Sequence, residues 1–232
     1  MKKSLLIAAA VSFIIQLAVV ACASLDIVGK ASISSFQAVL DAMPEQVQSD
    51  GVNGGWSLSA PDGTATFIWS NDYSQSPNDD LIMSFDAEPF LEAGLDASKL
   101  NDKVSLANGK ITVGAKLGYE KLNYDGEADP LSSFAHIASL HPDALGYHAQ
   151  LDHYNVSLGN GNMFEWASDM ATNAATMETQ DKDIVFVLDP QIFIDAGVDP
   201  EKVSGWAFAK VQIDVGGKMQ EADKLLKPFD IK

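Results

Sequence analysis

The four histidines of this sequence fall in one window, FAHIASLHPDALGYHAQLDHYNV, as His136, His141, His148 and His153. Imidazole suits zinc, copper, iron or nickel, and it is the side chain that titrates nearest neutral pH. Asp143 and Asp152 place carboxylates in the same stretch. His141, His148 and His153 are therefore the candidate metal ligands, with zinc or copper as the chemically sensible ion. The spacing matches no zinc motif: there is no HExxH and no i, i+4 pair on an unbroken helix. Pro142 and Gly146 interrupt the segment, which places two histidines on a helix and two on a strand. Along one strand, His148 and His153 would point to opposite faces. Ordinary core and surface positions explain the same residues, with His141 standing where an apolar residue is expected.

The acids offer a second chemistry. Calcium wants several oxygen ligands, and the loop NDYSQSPNDD (Asn71 to Asp80) is the calcium candidate, although no EF-hand spacing occurs. Asp86, Asp96, Asp189 and Asp199 stand where helix caps are needed, which accounts for them without a metal. Trp69 and Trp166 alternate with Phe67 and Phe164 and read as core, whereas Trp56 and Trp206 begin strands. Catalysis has little support. No GxSxG elbow is present, and Gly159 and Gly161 fit a hairpin better than a phosphate loop. Carboxylate pairs for glycoside hydrolysis exist only in three dimensions, so a hydrolase of envelope polymers stays as an alternative to a non-enzymatic protein.

Charge narrows the partners. The chain carries 15 Lys+Arg and 32 Asp+Glu, for a net charge of −17. Every one of the cations is a lysine, so the bidentate clamp that Arg gives phosphates and carboxylates is missing. Such a surface repels nucleic acid and anionic headgroups. Cations, basic proteins, glycans or small molecules suit it better.

The elements that must position these residues occur twice. SSFQAVLDAMPEQVQ from Ser34 matches SSFAHIASLHPDALG from Ser132; FIWSND (Phe67 to Asp72) matches FEWASD (Phe164 to Asp169); DLIMSFDAEPFLEAGLDASKL (Asp80 to Leu100) matches DIVFVLDPQIFIDAGVDPEKV (Asp183 to Val203). The order is kept while the offset drifts from 98 to 97 to 103 residues, as loop insertions would produce. Self-similarity of this kind marks a duplication: unit one over residues 34–124 and unit two over 131–232, joined at YDGEADP. In each unit Ser34 or Ser132 reads as an N-cap, with Gln37 as capping-box partner in the first. Phe36, Val39, Leu40 and Met43 follow at helical spacing, with Phe134, Ile137, Ala138 and His141 as counterparts. Pro44 and Pro142 end the helices. Asp62-Gly63 and Asn160-Gly161 predict hairpins. The strands LIMSF and IVFVL, a short helix and a last strand (KITVGAKL or WAFAKVQIDV) complete the unit. The expected fold is α+β: two tandem related units, each with a helix, three mainly antiparallel strands, a short helix and a strand, and with helices on one side of the sheet.

At the N-terminus Lys2 and Lys3 precede a nearly unbroken apolar run from Leu5 to Val20, short for a membrane span. A positive start, an apolar centre and small residues before a cut site read as a secretory signal over residues 1–21. Its end, LAVVAC (Leu17 to Cys22), resembles the lipobox of bacterial membrane lipoproteins. The resemblance implies that Cys22, the only cysteine, is lipid-modified and becomes the mature N-terminus. Residues 22–33 then form a tether. The expected protein is lipid-anchored on the extracytoplasmic face of the cell envelope and binds a ligand in an apolar groove between the units. It has no resident cofactor unless the histidine window takes a metal.

Overall fold

The computed structural model describes residues 29–50, 55–70, 79–115, 129–148, 152–169, 182–214 and 218–231. A helix covers residues 29–42 (α1). It is followed by strands Val47–Gln48 (β1), Trp56–Ser59 (β2), Ala65–Trp69 (β3) and Leu81–Asp86 (β4), the short helix Glu88–Glu92 (α2), a 3-10 turn at Ala97–Lys99, and strands Val104–Ala107 (β5) and Lys110–Ala115 (β6). The second half repeats this: helix Pro130–Leu140 (α3), strands Leu145–His148 (β7), His153–Ser157 (β8), Met163–Ala167 (β9) and Ile184–Leu188 (β10), helix Gln191–Asp195 (α4), a 3-10 turn at Pro200–Lys202, and strands Ala207–Asp214 (β11) and Met219–Phe229 (β12). Each half forms a six-stranded antiparallel sheet. The orders, β1-β2-β3-β4-β6-β5 and β7-β8-β9-β10-β12-β11, correspond strand for strand. The protein is thus α+β with two similar units.

The scaffold differs from the sequence expectation in several places. Each unit has four strands before the short helix and two after it, not three and one. The extra first strand is as short as two residues in β1, too short to show an alternation. KITVGAKL does not correspond to WAFAKVQIDV: β6 pairs with β4 as β12 pairs with β10, so the counterpart of WAFAKVQIDV is β5. The β11–β12 hairpin is much the longer of the two, and that displaced the match. Ser34 lies inside α1, whose helical residues include 29–33 of the expected tether. The cap of α3 is Asp129, which accepts from the Ser132 amide at 2.9 Å and from the Ser132 hydroxyl. Pro130 occupies the first position, where its missing N–H does no harm.

What holds the units together is a set of contacts between equivalent residues. The Phe36 and Phe134 ring centroids are 4.1 Å apart, those of Phe67 and Phe164 4.4 Å and nearly parallel, and those of Phe90 and Phe193 4.9 Å. All six rings are buried. Each pair joins a residue to its own repeat, so the pairs mark a pseudo-twofold axis. The backbone obeys it too: Asp96 N donates to Ala196 O at 2.8 Å and Asp199 N to Ala93 O at 2.9 Å. Ser35 Oγ donates to Ala167 O at 2.7 Å, and Ser133 Oγ to Ser70 O at 3.1 Å. The second serine of each SSF motif therefore ties its helix to the end of the other unit's strand. The apolar faces of both sheets and the buried stripes of α1 and α3 join one core.

Gly94 and Gly197 face each other across the same axis, at φ of +105° and +96°. A Cβ on Gly94 would stand 2.9 Å from Gly197 O. Gly94→Ala is expected to lower the unfolding free energy by about 1–3 kcal/mol through strain and the clash. Because the core is shared, unfolding should remain a single transition by tryptophan fluorescence and far-UV circular dichroism. Separate transitions for the two units would refute the shared core.

Candidate functional site

The symmetry acts as a filter. The shared acids Asp86, Asp96, Asp189 and Asp199 are engaged in scaffold roles, but Asp86 and Asp189 are not the helix caps expected of them: Ala87 and Pro190 take those places. Asp86 pairs with Lys110 at 2.6 Å and Asp189 with Lys224 at 3.2 Å, and each lysine also donates to a hairpin-turn carbonyl, Gly63 O or Gly161 O. Asp96 accepts from the Ser98 amide and Asp199 from the Glu201 amide, capping their 3-10 turns. Trp69 and Trp166 are fully buried, while Trp56 and Trp206 are half-buried against the core. Most of the calcium candidate, residues 71–78 of the Asn71 to Asp80 loop, lies outside the described residues, as do Cys22 and the whole signal segment.

What unit two does not share lies on the outer face of its sheet. β7 and β8 pair antiparallel with His148 opposite His153. The two histidines therefore lie on one face of adjacent strands. This corrects the expectation of opposite faces, which assumed a single continuous strand. β8 pairs with β9 so that His153 faces Ala167 and Asn155 faces Glu165. Cross-strand partners point to the same side, so His148, His153 and Glu165 share a face, away from Phe164 and Trp166. His148 Nδ1 lies 3.3 Å from both oxygens of Glu165. His153 Nδ1 lies 3.9 Å from Glu165 Oε2, too far for a hydrogen bond.

Glu165 and His153 are each only 1% exposed. Beside them on the same face is a small apolar cluster, Val185, Val187 and Leu226, packed by Met163, Ala209 and Val211. Burial by itself raises the pKa of the Glu165 carboxyl, but the facing imidazoles of His148 and His153 outweigh it and hold the group below its ordinary value. An ionised carboxylate can only accept, so the Nδ1 of His148 carries the proton between them.

The other candidates do not join this group. His141 closes α3 as its C-terminal cap, on the far side of a 3-10 turn from β7. His136 lies within α3, where burial lowers its pKa. Asp152 is taken by Tyr147, whose hydroxyl donates to Oδ1. That bond pushes the Tyr147 pKa up to about 12 and Asp152 down. Asp143 is exposed. Among the described residues, no three His, Cys, Asp or Glu side chains are already gathered as a metal site. Sequence reasoning missed Glu165. The available signal was its place in FEWASD, where FIWSND has Ile68: a charge in only one copy.

A second feature follows the axis. Between the start of α1 and the end of α3, a groove of about 500 Å³ is lined by Gly29, Lys30 and Ile33 on one side and Ala138, Pro142 and Leu145 on the other, and its walls are mainly apolar. Its pseudo-equivalent, about 340 Å³, lies between Leu40, Pro44 and Val47 and the start of α3, with Trp56 on its wall. Among the described residues no helix is long and apolar enough to cross a membrane. Comparison with family models, curated proteins and solved structures finds no match to this chain.

Glu165→Gln keeps the shape of the buried cluster and removes its charge. A carboxyl whose folded pKa is depressed contributes stability that is present above its ordinary value of 4.5 and lost as pH falls through the folded value. Urea midpoints of the parent chain should therefore fall across the acid range more steeply than those of Glu165→Gln. Equal slopes would show that Glu165 is not ionised in the fold.

Proposed function

We propose that this chain is a non-enzymatic, lipid-anchored binding protein displayed on the extracytoplasmic face of the cell envelope. The observation that carries the reading is the N-terminal sequence: a lysine start, an apolar run and LAVVAC, with the only cysteine of the chain at the position a lipobox requires. The anchor would sit close to the folded domain. Only six residues, 23–28, separate Cys22 from the helical residue Gly29, a span of at most about 25 Å fully extended. The domain therefore works near the membrane surface.

The ligand we assign to this protein is a small apolar or amphiphilic molecule, held in the groove beside Ile33, Ala138 and Leu145. The volume of that groove falls within the range of small-molecule pockets. It lies beside the first turn of α1, the end of the described chain nearest the anchor. The net negative charge disfavours anionic ligands. The ring contacts of Phe36 and Phe134 with both sheets support a layout in which the helices gather on the inner side of each sheet.

Two measurements test this. Cys22→Ser in the full chain should abolish lipid labelling and move the protein from the membrane fraction to the soluble fraction. Membrane retention of the variant would overturn the anchor. Ala138→Trp places a large ring in the groove and should remove small molecules that co-purify with the chain, as read by native mass spectrometry. A parent chain that carries none and binds no apolar fluorescent probe would overturn the groove assignment.

A further inference from the structure

We propose that His148, His153 and Glu165 bind one divalent transition-metal ion of the zinc or copper class. The proposal stands apart from the anchor and the groove, neither of which it uses.

Unit two buries a charge where the fold does not need one. The strand pairings place Ile68 of unit one at the position of Glu165, and the same register extended past the ends of β1 and β2 brings Asp50 and Gly55 to the positions of His148 and His153. Unit one builds the same sheet with an apolar residue where unit two buries a carboxylate. Taking an ion out of water is unfavourable unless partners compensate it, and apolar replacements of buried ionic groups are often neutral or stabilising. The scaffold alone therefore does not account for Glu165.

His153 is 1% exposed, and among the described residues neither of its ring nitrogens makes a hydrogen bond. Its Nδ1 faces the Glu165 carboxylate across 3.9 Å. Buried polar atoms are nearly always satisfied, and the exceptions call for an explanation such as an ion or a function.

The distances also suit a metal. Two ligand atoms each about 2.1 Å from a tetrahedral zinc lie about 3.4 Å apart. The nitrogen-to-oxygen separations of 3.3 and 3.9 Å bracket that value. A cation between the carboxylate and the two rings would be reached by small rotations of side chains already held on one face by cross-strand pairing. Two imidazoles and a carboxylate are a donor set that borderline metals prefer. Water would supply the fourth ligand. His148 releases Nδ1–H on binding: a neutral ring takes the other tautomer, and a charged ring loses a proton to solvent. Binding therefore weakens as pH falls through the histidine range.

The test uses the full chain, without affinity histidines, stripped with chelator and titrated with zinc, copper and cobalt. We expect one zinc per chain, and with cobalt the strong visible absorption of a tetrahedral site. His153→Ala and Glu165→Gln should each weaken zinc binding by more than the 10–100-fold that loss of an outer-shell partner costs. His136→Ala and His141→Ala should leave it unchanged. Circular dichroism establishes that each variant is folded, and the cobalt spectrum of the parent chain reads the donor geometry without any variant. Failure to bind any of the three ions would overturn the proposal. So would zinc binding that survives in folded His153→Ala and Glu165→Gln, or that is lost in His141→Ala.

Discussion

The two units are held together by contacts between equivalent residues. Phe36 meets Phe134, Phe67 meets Phe164, and Phe90 meets Phe193. A residue that packs on its own repeat must fit itself, so these positions keep the same ring in both copies while neighbours change. Buried aromatic pairs add about 0.5–1.5 kcal/mol each beyond their area. Separating the units would expose all six rings. The reciprocal bonds of Asp96 to Ala196 and of Asp199 to Ala93 add direction to the apolar contact. They also explain why glycine stands at 94 and 197, where two backbones meet at positive φ.

Each unit completes the other. The hydroxyl of Ser35 reaches the end of β9 and that of Ser133 the end of β3. The indole of Trp69 donates to the carbonyl of Pro130. A helix bonded to the end of its partner's strand cannot move without opening the common core. The grooves beside α1 and α3 lie to either side of the Phe36–Phe134 contact.

Symmetry also makes the divergence of unit two visible. Its β10 is buried on both faces, whereas β4 alternates buried and half-buried residues. Its terminal hairpin has strands of eight and eleven residues against four and six. The histidines and Glu165 sit on that altered outer face. Scaffold duties are thus carried by both copies, while the unusual charges belong to one.

Much of the scaffold was legible along the chain, because the signals for it are local. The duplication, the helix over Phe36 to Met43, the hairpin turn at Asn160-Gly161 with positive φ at both residues, and the caps at Asp96 and Asp199 depend on spacing or on the nearest turn. The window of histidines was visible as composition. The meeting of His148 with His153 was not, since it rests on a turn that reverses the chain between them and sets strand register. Glu165 was less visible still: an acid alternating with Phe164 and Trp166 reads as a solvent-facing residue, and only the covered outer face makes it a buried charge. The repeat, the apolar periodicity and the acidic balance are properties of neighbours along the chain and are written in it directly. The shared core and the approach of two histidines to a glutamate depend instead on which faces the strands present once paired, and so belong to the folded molecule alone.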